Sequence, residues 1–333
     1  MMNLINKTKP NTALNSNKKT WNSNTKDIIQ LLVVLLVMIV FAAILSKGVF
    51  IQPLNLYNIL TQNCILLVVS LGQLLIIITK GIDLSVGMIV GFSSVLIVLT
   101  QDFGAVLPIV FALGAVVIIG IASGCLVHYA KLPAFVVTLA MSQIVYSIGK
   151  VIGGGAAVYS GFNGSPIAGS LLSLYTNSIF GIQYPLIITF VCIIAISLYL
   201  KTSVGHFTYT IGGNQKAAYL SGVPIARVKI TAYVIAGLLA CIGAVLFVAR
   251  VGLGDPQAGD ALTMDSIAAV TVGGASLSGG VGTVVGTIIG VLILGVLNNI
   301  LNLLNVPPAI QPAIKGGLIL LAVYLNSRKI SER

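Results

Sequence analysis

"AVLPIVFALGAVVIIGIASGCLV", Ala105–Val127, runs for 23 residues without a charged side chain. A helix of about 20 apolar residues crosses the roughly 30 Å hydrocarbon core of a bilayer, so this stretch predicts a membrane span. Ile28–Ser46 repeats the pattern over 19 residues. The whole chain follows suit: 333 residues, 57% hydrophobic and 8% charged, with a mean hydropathy of +1.06. A soluble domain charges roughly a quarter of its residues. The fold class is therefore all-α, a polytopic integral membrane helical bundle.

Working outward from Ala105–Val127, hydropathy predicts about ten segments, near 28–46, 55–78, 84–100, 105–127, 133–149, 183–200, 229–249, 264–278, 283–303 and 311–325. The third and eighth are short, Gly-rich or interrupted by an acid, which suits re-entrant or broken elements buried by protein. With the N-terminus in the cytoplasm, fourteen cations fall on the inner side. Four (Lys47, Lys150, Arg250 and Lys315) fall on the outer side or just inside the last span. The positive-inside rule thus predicts two cytoplasmic termini. Residues 1–27 read as a disordered polar tail, 28–325 as one membrane-spanning domain with a cytoplasmic loop at 201–229, and 326–333 as a second tail. The first residues lack the apolar core and cleavage site of a secretory signal.

The net charge of +11 does not point to nucleic acid, because no dense basic stripe interleaves with aromatics. Lysines and arginines instead mark topology and meet lipid head groups. Cys64, Cys125, Cys192 and Cys241 lie in apolar spans without metal-ligand spacing and read as small core residues. His128 and His206 sit in separate inner loops away from any acid or thiol cluster. Ser147-Ile148-Gly149-Lys150-Val151 lacks the upstream Gly and the following hydroxyl of a phosphate loop. No catalytic, cofactor-binding or metal site emerges, so the chain is not expected to hydrolyse ATP.

Of the seven acids, Asp83 in "GIDLSVG" (Gly81–Gly87) is either a functional intramembrane carboxylate or a cap for the helix starting at Leu84; Ser85 shares its position. Asp265 carries the same two readings. Amides are plentiful, among them Gln62, Asn63, Gln73, Asn298 and Asn299. Singly they serve as interhelical hydrogen bonds; together they can line a path for a neutral polyhydroxylated solute. The scarcity of paired intramembrane charges disfavours an ion-coupled carrier. Gly282, Gly286, Gly290 and Gly295 share one face, fit for packing within the chain or against a second subunit.

"GGNQKAAYLSGVPIARVK" (Gly212–Lys229) is the polar exception. Asn214 is an N-cap, Gln215–Ser221 form about two turns, Gly222 suits a left-handed C′ position, and Pro224 opens the next helix. A short stiff helix results, built around Ala218 and Leu220, with Lys216, Tyr219 and Arg227 available to a cytoplasmic partner.

This segment resembles the coupling loop of the ribose-type ABC sugar permeases, in the family that also holds branched-chain amino-acid permeases. "GIDLSVG", "MDSIAAVTVGGASLSGGVGTVVGTIIGVLILGVLNN" (Met264–Asn299) and "QPAIKGGLILLAV" (Gln311–Val323) are similar to further motifs of that family. The family often carries a basic residue where Tyr219 and Val281 stand, and Gly where Ile300 stands. The resemblance implies a permease of the cytoplasmic (inner) membrane that imports ribose or a related monosaccharide. It implies pairing with a second permease copy, an ATP-binding ABC subunit docked from the cytoplasm, and an extracytoplasmic sugar-binding protein. A nucleoside or other small polar solute is the alternative cargo, and an ion-coupled secondary carrier the alternative mechanism.

Overall fold

A computed structural model describes residues 16–159, 169–317 and 320; the rest of the tails, the middle of the expected outer loop at 153–181 and the second half of the last span, apart from 320, lie outside these. The described residues are mostly helical. Its helices are α1 (Ser16–Leu45), α2 (Pro53–Gln62), α3 (Cys64–Ile78), α4 (Val86–Leu99), α5 (Leu107–His128), α6 (Ala134–Ile152), α7 (Gly169–Thr176), α8 (Tyr184–Lys201), α9 (Ser203–Gly213), α10 (Gln215–Leu220), α11 (Ile225–Val251), α12 (Asp260–Val272) and α13 (Val284–Leu303). Residues 311–317 are helical as well. Two small ladders, β1 (Val158–Tyr159) with β4 (Leu253–Gly254) and β2 (Ser178–Ile179) with β3 (Ile182–Gln183), tie the loops together.

Six of the described helices, α1, α5, α6, α8, α11 and α13, are long and apolar enough to cross a membrane. The expected span at 55–78 is a bent pair: α2 and α3 meet at 41° across Asn63. The cause is local. Both the backbone N–H and the side-chain Nδ2 of Asn63 donate to the Ile59 carbonyl, at 3.2 and 2.7 Å, and an amide inserted into the helical ladder bends it. The segments expected at 84–100 and 264–278 are shorter: α4 has 14 residues and α12 has 13. α1 begins at Ser16, inside the polar stretch expected to be a tail, and the expected inner loop at 201–229 is filled by α9, α10 and the start of α11.

The core forms around α11 and α3. Every α3 residue except Leu67 is buried, which matches a helix that is apolar all round. Small residues let the backbones meet. A Cβ on Gly72 of α3 would stand 2.8 Å from Ala236 Cα, and one on Gly120 or Gly124 of α5 would stand 2.7 Å from the Cα of Val234 or Ile230. The Gly face of α13 is likewise used inside the chain: Gly286 abuts Gly273, Gly290 abuts Ala269, and Gly295 abuts Asn63.

Candidate functional site

Three polar constellations interrupt this apolar bundle. The first is α10. Asn214 has extended backbone (φ −155°) and its Oδ1 accepts from Ala217 N at 3.1 Å, satisfying a helix-start N–H. At the other end Gly222 adopts φ +78°, its N–H donates to Tyr219 O, and Val223 N–H donates to Ala218 O, both at 3.0 Å. This is the paired closure of a Schellman motif, and the apolar contact that accompanies it is present: Ala218 and Val223 are buried with Ile211, Ile225 and Val228. A six-residue helix is too short to persist alone; two caps and an apolar footing hold it. The opposite face is open, with Tyr219 72% and Leu220 85% exposed. Lys216 and Arg227 are exposed, and Lys229 Nζ donates to Gln215 Oε1 at 3.0 Å. Beside α10 lies a groove of about 730 Å³ whose other wall is His128, Tyr129 and Lys131 from the α5–α6 connection. Sequence reading missed that wall, because nothing local links residues so far apart in the chain.

The second constellation surrounds "GIDLSVG". Asp83 is 2% exposed; its Oδ1 accepts from Ser85 N (2.7 Å) and Ser85 Oγ (2.6 Å). The α4 helix therefore begins one residue after Ser85, and the carboxylate organises its entry. Gln73, fully buried on α3, clasps the Asp83 backbone when its amide nitrogen faces Asp83 O (3.2 Å) and its oxygen faces Asp83 N (3.3 Å). Thr138 of α6 accepts from Leu84 N and donates to Ile82 O, while Thr263 of α12 accepts from Gly87 N. Three helices thus grip this turn by its backbone.

The third is a cavity of about 220 Å³ that brings together Gln62, Asn63, Asp265 and Asn298, four of the polar residues singled out in the sequence. Arg250, at the end of α11, also lines it. Asp265 Oδ2 accepts from Lys315 Nζ at 2.9 Å, with both side chains largely buried. Asn299 faces elsewhere: it exchanges two amide hydrogen bonds with Asn55 (2.8 and 3.0 Å), pinning α13 to α2. Among the described residues no group of three His, Cys, Asp or Glu is placed to hold a metal ion.

Comparison with known proteins places the sequence among transport permeases. The family described as branched-chain amino acid transport system / permease component matches residues 55–323. The ribose import permease of Bacillus subtilis is 38% identical, over 89% of this chain and 91% of that protein. The galactose/methyl galactoside import permease of Salmonella typhimurium is 35% identical, over 95% and 98%. An L-arabinose ABC transporter permease of Azospirillum brasilense is 32% identical, over 90% and 88%. No solved structure matches the chain.

Proposed function

Because the chain belongs to the branched-chain amino acid transport system / permease component family, we propose that it is the permease subunit of an ABC importer carrying ribose or a related monosaccharide. It is a multi-pass protein of the cytoplasmic membrane. Support for the cargo comes from relatives that bear the names of sugar import permeases and align over nearly their full length. The energy comes from a separate ATP-binding subunit, an extracytoplasmic binding protein delivers the sugar, and a second copy of the chain completes the pore.

Ten segments cross or enter the bilayer, α2–α3 counting as one, and both termini face the cytoplasm. The excess of cations at the α10 end supports this orientation.

The observation that carries the mechanism is α10. It is capped at both ends, seated on a buried apolar cluster and exposed on its outer face. A partner that pushes on Tyr219, Leu220 and Lys216 moves a rigid body, and the push is passed to α11 and α9 instead of being absorbed. Reorientation of the bundle then shifts the polar cavity, with Gln62, Asn63, Asp265 and Asn298, between access from the two sides.

Two sets of variants test the lever. Reversing charge at Lys216 and Arg227 together, or placing Pro at Ala218, is expected to leave membrane insertion intact and ATP hydrolysis running while uptake collapses. Wild-type coupling in both would contradict the role given to α10.

A further inference from the structure

The glycine-rich block "GGASLSGGVG" (residues 273–282) joins α12 to α13, and it is folded as a wedge. Ser276 N donates to Val281 O at 3.0 Å and Gly279 N to Ser276 O at 2.9 Å, closing the loop on itself. Gly279 and Gly280 stand at φ +85° and +76°, left-handed backbone that glycine adopts freely. A Cβ on Gly279 would lie 2.7 Å from Lys80 Cβ and 2.9 Å from Gly212 O, and one on Gly280 would lie 2.9 Å from Gly213 N. The tip therefore fills the space between the end of α9 and the turn after α3. At its base Gly273 touches Gly286, and Gly290 touches Ala269, backbone to backbone. With the loop, α12 and α13 form one stiff hairpin.

This hairpin is bonded to α3, because Gly280 N donates to Ile78 O at 2.9 Å. α9 meets both of them by packing, and among the described residues it makes one hydrogen bond to either. Tyr209, half-buried on α9, donates its Oη to the carbonyl oxygen of buried Gly282 at 2.9 Å. We infer that Tyr209 is a positioning residue for transport: it yokes α9 and α10 to the α12–α13 hairpin, so that α10 can draw the bundle back as well as push it. The inference rests on the reading of α10 as the element that an ATP-binding partner moves.

The roles follow from the kinds of contact. Packed glycine backbones resist compression, but the dispersion that holds them together is weak for each atom pair. A hydrogen bond also resists separation and sliding, because it weakens steeply as its geometry is lost. Gly212 and Gly213, set against Gly279 and Gly280, can thus carry a push from α9. A permease works in cycles, and its return stroke needs a pull, which the Tyr209 hydroxyl supplies. Both arms of the yoke end at the polar cavity: Ile65 and Leu66 of α3 line it, as do Leu262, Asp265 and Asn298 of the hairpin.

The test is Tyr209→Phe, which keeps the ring and its packing and removes only the hydroxyl. The full chain, assembled with its ATPase and binding protein in proteoliposomes, takes up radiolabelled ribose in a rapid-quench measurement that separates the first turnover from the steady state. Basal ATP hydrolysis and the first turnover should match the wild type. Steady-state uptake should fall about two- to tenfold, the range that one hydrogen bond gives.

Wild-type rates in both phases would overturn the yoke. So would a first turnover slowed as much as the steady state, because a merely structural hydroxyl slows both together. Ala218→Pro, measured alongside, separates this inference from its premise. If Ala218→Pro uncouples while Tyr209→Phe is normal throughout, the yoke alone falls. If Ala218→Pro couples normally, the reading of α10 falls and the yoke with it.

Discussion

Gly212, next to last in α9, lies against the carbonyl oxygen of Ile78 at the end of α3, so close that a Cβ would collide with it. The same oxygen accepts from Gly280 N at 2.9 Å, and Tyr209 Oη donates to Gly282 O at 2.9 Å. Backbone thus meets backbone directly beside α10, with no flexible side chain between. In the proposed mechanism this joint passes movement of α9 and α10 to α3, whose far end begins after Asn63 at the cavity. Gly212→Ala should pry this joint apart, at a cost of about 1–3 kcal/mol for overpacking. Reconstituted with its partners, the variant should hydrolyse ATP yet lose uptake at least tenfold; normal uptake per ATP would show that the joint transmits nothing.

The cap on α10 gives a graded version of the same experiment. Asn214→Ala removes the acceptor for Ala217 N and should cost about 0.5–2 kcal/mol of local helix stability. Asn214→Asp and Asn214→Ser keep an acceptor. Uptake in the series should therefore rank Asn, Asp and Ser together above Ala, and hydrogen exchange at Ala217 and Ala218 should rise only in the Ala variant.

At "GIDLSVG" the geometry favours the structural role for Asp83. Asp83→Asn retains Oδ1 and should keep both the turn and most of the uptake. Asp83→Ala leaves Ser85 N–H buried without its partner, a loss of about 1–3 kcal/mol that would appear as a lower unfolding midpoint in nanodiscs. If Asp83→Asn unfolds normally but abolishes uptake, the carboxylate has a transport role instead.

Gly295 and Asn63 should behave as a coupled pair. Gly295→Ala drives a methyl into the Asn63 amide, while Asn63→Ala removes the obstruction. The double variant should be more stable than the sum of the single losses predicts, by about 0.5–3 kcal/mol of interaction energy. Additive losses would show that the two side chains do not constrain one another.

The parts of this molecule legible in the sequence are those decided by neighbours. Asn214, Gly222 and Pro224 obey short-range capping rules, and they announce α10 before any tertiary contact is known. Long apolar runs such as Ala105–Val127 likewise declare α5. The bend at Asn63 was not legible, because the space for its amide is supplied by Gly295 on another helix. Nor could hydropathy bring Arg250 to the cavity beside Asp265, or Lys315 to the Asp265 carboxylate: a charge at the end of a span reads equally as a topology marker. Gln73 illustrates the same limit, since an amide in an apolar run does not say which backbone it will grip.

The central claim is that this chain moves sugar with energy taken from another subunit through α10. Its most direct test is sugar accumulation in sealed proteoliposomes, with the purified chain alone or assembled with its ATPase and binding protein. Uphill uptake only in the assembled vesicles, and only with ATP, is the predicted result. Uphill uptake by the chain alone under an imposed ion gradient would contradict it.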